Sequence, residues 1–73
     1  MFSKGDLVRW YKLYDDISIV RETGIGIVLE KRIDLYGEYE VIIYTVHVTE
    51  NNTTEIFEEF CLEKIKENKD ETK

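Results

Sequence analysis

The stretch Gly24-Ile25-Gly26-Ile27-Val28-Leu29-Glu30 constrains this chain more than any other. It is rich in strand formers, and a strand turns successive side chains to opposite faces. Ile25, Ile27 and Leu29 then share one face. Gly24, Gly26 and Val28 share the other, so two glycines leave that face bare. A bare strip of backbone marks either a sharp bend or the close approach of a crossing strand. Both arise where a small sheet curls into a barrel, so the chain is expected to be all-β.

The chain has 73 residues, enough for one domain. So short a domain buries a small share of its surface, and its core is marginal. Cys61 is the one cysteine and His47 the one histidine. An intramolecular disulfide is impossible, and no Cys/His zinc site can be assembled. Stability is therefore expected from apolar packing, alone or with a partner chain. No cofactor is expected.

The rest of the chain continues the strand pattern. Leu7-Val8-Arg9-Trp10-Tyr11 follows Gly5-Asp6 and reads as a first strand. Residues 12–23 keep neither helical nor two-residue periodicity and read as a long, hairpin-like loop. Asp34-Leu35-Tyr36-Gly37 fits a type I turn, with Asp first and Gly fourth. A third strand runs from Tyr39 to Val48, with apolar residues on both faces. Asn51-Asn52 suits a tight hairpin turn, because Asn tolerates positive φ. Residues 54–57 read as a fourth strand, 58–60 as one helical turn, and 62–65 as a short final strand. A single C-terminal helix over 55–65 is the alternative, since Phe57, Phe60, Cys61 and Ile65 also recur at helical spacing. Residues 1–65 form the domain, and 66–73 read as a charged, frayed tail. The expected core is Val8, Trp10, Ile25, Ile27, Leu29, Ile42, Tyr44, Val46, Leu62 and Ile65.

The formal net charge is −6, with 16 acidic residues against 10 Lys and Arg. A nucleic-acid binder normally carries a basic face. Here the basic residues are scattered among acids. They make an ordinary solvated surface on one reading, and an acidic face for a basic partner on another. No apolar signal segment opens the chain, and the apolar-leaning run 41–48 is too short to span a bilayer. A reducing cytoplasm, or a particle assembled there, is the expected setting, with no membrane partner.

Taken in order, Lys4-Gly5-Asp6-Leu7-Val8-Arg9-Trp10, then residues 24–30, then an alternating strand, then Leu62-Glu63-Lys64-Ile65, form a pattern. It resembles small proteins of tailed bacteriophages with a Src-homology-three-like or KOW-like barrel, over roughly residues 4–65. The resemblance implies a small barrel of five antiparallel strands, in the host cytoplasm or the virion. It is weakly specific for function.

No catalytic set emerges. Gly24-x-Gly26 lacks the third glycine of a dinucleotide fingerprint, and no helix follows. His47 has only Ser3 and Ser18 as serine partners, neither in a nucleophile elbow. Cys61 sits between Phe60 and Leu62, which suits a buried structural thiol. Glu58, Glu59 and Glu63 read as a solvated acidic edge. The aromatic residues are more informative, because such rings anchor binding surfaces. Trp10, Tyr14 and Tyr36 are expected to line one partner-binding groove, with Trp10 half core and Tyr36 exposed in its turn. Two functions follow. The first is a non-enzymatic, phage-type accessory protein that binds another protein, a virion component or host factor, or forms a homo-oligomer. The second is a nucleic-acid module, which requires Lys4, Arg9, Lys12, Arg21, Lys31 and Arg32 to converge on one face.

Overall fold

A computed structural model describes residues 1–16 and 18–65. The tail read over 66–73 lies outside the described residues. Five strands form one sheet: β1 (Leu7–Leu13), β2 (Val20–Tyr36), β3 (Tyr39–Val48), β4 (Thr53–Glu58) and β5 (Leu62–Lys64). A 3₁₀ turn, Glu59–Cys61, joins β4 to β5. Every pairing is antiparallel, in the order β4-β3-β2-β1-β5. The strand, helical turn and short strand expected at the C-terminal end are all present, and the alternative long helix is not. Thr53, Thr54 and Ile56 are β-branched, which favours the extended chain over the helical spacing of Phe57, Phe60 and Cys61. Among the described residues no helix is long and apolar enough to cross a membrane.

The core consists of Phe2, Val8, Trp10, Val28, Tyr44, Val46, Val48, Phe57 and Leu62. Of the expected core residues, Val8, Trp10, Tyr44, Val46 and Leu62 are there, and Ile42 packs against it. Ile25, Ile27 and Leu29 are not, because β2 presents its glycine face inward. Trp10 pairs with Gly24 across the β1–β2 ladder and its indole fills the space that a side chain at 24 would need, while Val46 and the His47 carbonyl fill the space at 26. Ile25 and Ile27 are left half-buried on the outer face. Leu29 falls in a bulge between Val28 and Glu30 and is exposed. Ile65 is only half-buried, one residue beyond β5.

The turn expected over 34–37 is displaced. The β2–β3 ladder runs on through Ile33 with Ile42 and Leu35 with Glu40 to Tyr36 with Tyr39. Only Gly37 and Glu38 remain to turn the chain. Gly37, at φ +64, supplies the left-handed residue that a two-residue hairpin needs at its first position. The turn expected at Asn51-Asn52 is longer than two residues. Val48 pairs with Thr53, so residues 49–52 make the connection, and Asn52 takes φ +58. The loop expected over 12–23 narrows to residues 14–19, between the ends of β1 and β2. β1 and β2 pair as far as Leu13 with Val20, through a bulge.

The sheet curls, but among the described residues hydrogen bonds do not close it into the expected barrel: β4 and β5 are its edges and share no ladder. Side chains bridge β1 and β4 instead. Phe57 stacks on Trp10 with ring centroids 5.6 Å apart and planes at 23°. Lys12 Nζ lies 2.8 Å from Glu55 Oε1. The buried Tyr44 hydroxyl accepts from Phe2 N at 3.2 Å and donates to Glu59 Oε2 at 3.3 Å, tying the N-terminal segment to the 3₁₀ turn.

Candidate functional site: an aromatic groove between the first hairpin and the 3₁₀ turn

The β1–β2 hairpin ends in a loop shaped by Asp16. Its Oδ1 accepts from Ser18 N at 3.0 Å and from Ser18 Oγ at 2.7 Å, a side-chain turn of the kind that short polar residues make. Those two bonds, the side-chain one first, hold the Asp16 carboxyl below its usual range. Ile19 N donates to Asp16 O, and Tyr14 N donates to Ile19 O at 3.1 Å. Tyr14 is thereby fixed at the mouth of the hairpin.

Opposite stands the 3₁₀ turn. Phe57 points into the core as the alternation of β4 requires. Phe60, three residues further on, falls on the opposite face and is exposed to solvent. Between Tyr14, Ile56 and Phe60 lies a groove of about 380 Å³. The three side chains are 53%, 57% and 62% exposed. Phe57 lines its floor and stacks on the buried Trp10, with the Lys12 ammonium 5.5 Å from the indole centroid, within cation–π reach. Acids stand at both ends in the chain: Asp15 and Asp16 follow Tyr14, and Glu58 and Glu59 precede Phe60.

The expected trio is not brought together. Tyr14 borders this groove. Trp10 is 3% exposed and lies in the core behind Phe57, not on the groove surface, bonded through Nε1 to Ile25 O at 3.2 Å. Tyr36 lies at the far end of β2, roughly 50 Å of extended strand away from the hairpin loop. The sequence reading missed Phe60 and Ile56. The available signal was alternation itself, which places Ile56 and Phe60 on the face opposite Phe57.

The other singled-out groups have structural roles. His47 sits half-buried near the end of β3, between Ile27 and Thr54. Cys61 is half-buried, and burial first, then the Glu58 charge, push its thiol pKa up, away from the reactive thiolate. Glu63 accepts from the Tyr11 hydroxyl at 2.7 Å. Glu59 binds Tyr44 and lies 3.3 Å from the Met1 ammonium. Among the described residues no three His, Cys, Asp or Glu are gathered as a metal would need. Comparisons with protein-family profiles, with curated proteins and with solved structures give no match for this chain.

Proposed function

We propose that this chain is a non-enzymatic module that binds an apolar, basic-flanked segment of another protein in the groove between Tyr14 and Phe60. One observation carries the reading. Three large apolar side chains stand exposed together over a floor that is itself packed core. Rigid aromatic anchors over such a floor are the usual source of binding energy at interfaces. The net charge of −6 favours a basic partner by complementarity. The phage-type context rests on the sequence resemblance. It makes the partner a virion component or a host factor, and the setting the virion or host cytoplasm.

The nucleic-acid reading has less support. Lys12 and Arg21 border the groove, while Lys4 and Lys31 border a separate cleft. Lys12 pairs with Glu55, Arg21 with Glu22 and Arg32 with Asp34. The test is capture from a native lysate with three baits: the unaltered chain, Phe60→Ala and Tyr36→Ala. A protein held by the first and third but lost by Phe60→Ala supports the groove. Nucleic acid released steeply by salt, or capture indifferent to Phe60→Ala, would sink it.

A further inference from the structure

Beyond Val28, β2 continues over residues 29–36 with β3 on one side and, among the described residues, no strand on the other. β1 pairing stops at Ile27, and the last bonds across that edge join Val28 to Asp6 and Gly5. The N-terminal segment then diverges, leaving an open cleft of about 730 Å³ lined by Met1, Phe2, Leu29 and Lys31. An extended edge with unpaired amides and carbonyls is a template for another strand. Here it also carries Ile33 and Leu35, 54% and 70% exposed.

We propose that a second copy of this chain occupies this edge, antiparallel over residues 30–36, about a two-fold axis through Ile33. The charge pattern selects both the partner and the register. A two-fold interface sets residue i against j and j against i. Facing residues of an antiparallel pair lie on the same side of the sheet, so the axis must pass through a residue. Centred on Glu30, Lys31, Arg32 or Asp34, it would set like charges against each other, which destabilises the pair. Centred on Leu35, it would leave only residues 34–36 in register. Centred on Ile33, it sets Ile33 against itself and Arg32 against Asp34 of the second copy, twice.

Other features fit the same register. Arg32 Nε and Asp34 Oδ1 already lie 3.2 Å apart within the strand, so both charges stand on the outer face, placed for exchange across the axis. Leu35 faces the aliphatic stem of Lys31, which long basic side chains offer to apolar neighbours. Tyr36 faces Glu30, so the hairpin tip of each copy enters the cleft of the other.

Mass in solution, by sedimentation or light scattering on the full chain, tests this. The mass should double from one chain to two as concentration rises. Arg32→Glu alone, or Asp34→Arg alone, should hold the chain at the mass of one copy. An equimolar mixture of those two variants should regain the doubled mass, because opposite charges then face each other again. In a Cys61→Ser background, Ile33→Cys should form an interchain disulfide on oxidation, and Leu35→Cys should not. The cysteine pair decides the matter should a charge variant fail to fold. A one-chain mass at every concentration, doubled mass in either single charge variant, or equal cross-linking at 33 and 35 would overturn the proposal.

Discussion

The indole of Trp10 occupies the volume that a side chain at Gly24 would need. A Cβ placed on Gly24 would stand 2.5 Å from Cζ2 of Trp10 and 2.8 Å from Cε2. The two residues face each other across the β1–β2 ladder. Phe57 packs against the same ring, and Lys12 lies above it. The missing side chain on β2 thus lets the largest ring of the chain lie against the backbone, where it packs in the core and supports Phe57 beneath the groove.

That relationship predicts coupling between the two positions. Gly24→Ala overpacks the site, and such changes cost about 1–3 kcal/mol. Trp10→Phe removes the two atoms in conflict, so Gly24→Ala should cost clearly less in that background. Gly26→Val should be worse than either single change, because its side chain meets Val46 and the His47 carbonyl, 2.8 Å from the first carbon. Gly37→Ala meets open space and pays only for its positive φ, about 1–2 kcal/mol. Urea denaturation of the single and double variants measures the coupling. Equal costs for Gly24→Ala in both backgrounds would contradict the packing account.

The groove predicts that binding and stability separate cleanly. Phe60 and Tyr14 are exposed, so Phe60→Ala and Tyr14→Ala should change stability by less than about 0.5 kcal/mol. Both should weaken the partner captured by the groove. Trp10→Ala should cost about 3–5 kcal/mol by emptying the core, and its effect on binding would be indirect. Tyr36→Ala should keep both the melting temperature and groove binding. Thermal melts paired with titration of the captured partner check all four, and unfolding by Phe60→Ala would place that ring in the core instead.

Tyr44 predicts the response to alkali. Burial first, and then the Glu59 charge and hydrogen bond, raise its pKa, against the opposing bond from Phe2 N. A group whose folded pKa is raised contributes stability below its unfolded pKa, and that contribution fades as pH rises through the folded value. The loss should therefore begin above about pH 10, the ordinary tyrosine value. Tyr44→Phe should be less stable at neutral pH, since it leaves the Phe2 amide without its acceptor. Its stability should fall less between pH 9 and roughly pH 11, the span around that value. Parallel pH profiles for the two proteins would show that another group governs the alkaline limb.

Much of the fold was legible because short strands separated by Gly and Asn punctuation leave few alternatives. The third strand, the helical turn after the fourth strand and the buried Trp10 all follow from pattern. Residues 34–36 misled for a definite reason. Asp34 and Gly37 suit a type I turn locally, yet extending the ladder to Tyr36 with Tyr39 satisfies more backbone groups. The inward face of β2 misled because apolar residues were counted on that strand alone. The three apolar residues Ile25, Ile27 and Leu29 outnumber Val28, but the ring that fills the glycine face comes from β1. The groove was half legible. Tyr14 was legible from its loop, whereas the helical spacing of Phe57 and Phe60 set both on one face, although alternation along an extended chain puts them on opposite faces.

Cys61 offers a chemical probe of that groove. It borders the groove and is half-buried, and its thiol is held protonated by burial first and by Glu58 second. Alkylation proceeds through the thiolate, so at pH 8 Cys61 should react with iodoacetamide more slowly than a small free thiol. Glu58→Gln removes the lesser cause and should speed the reaction only modestly. Unfolding in urea removes burial and should speed it more. A partner seated between Tyr14 and Phe60 would cover the sulfur and slow the reaction further, whereas association through residues 30–36 would leave it unchanged. Mass spectrometry of alkylated protein over time gives all these rates. Alkylation at the free-thiol rate in the folded chain, or a rate indifferent to the bound partner, would remove Cys61 from the groove wall.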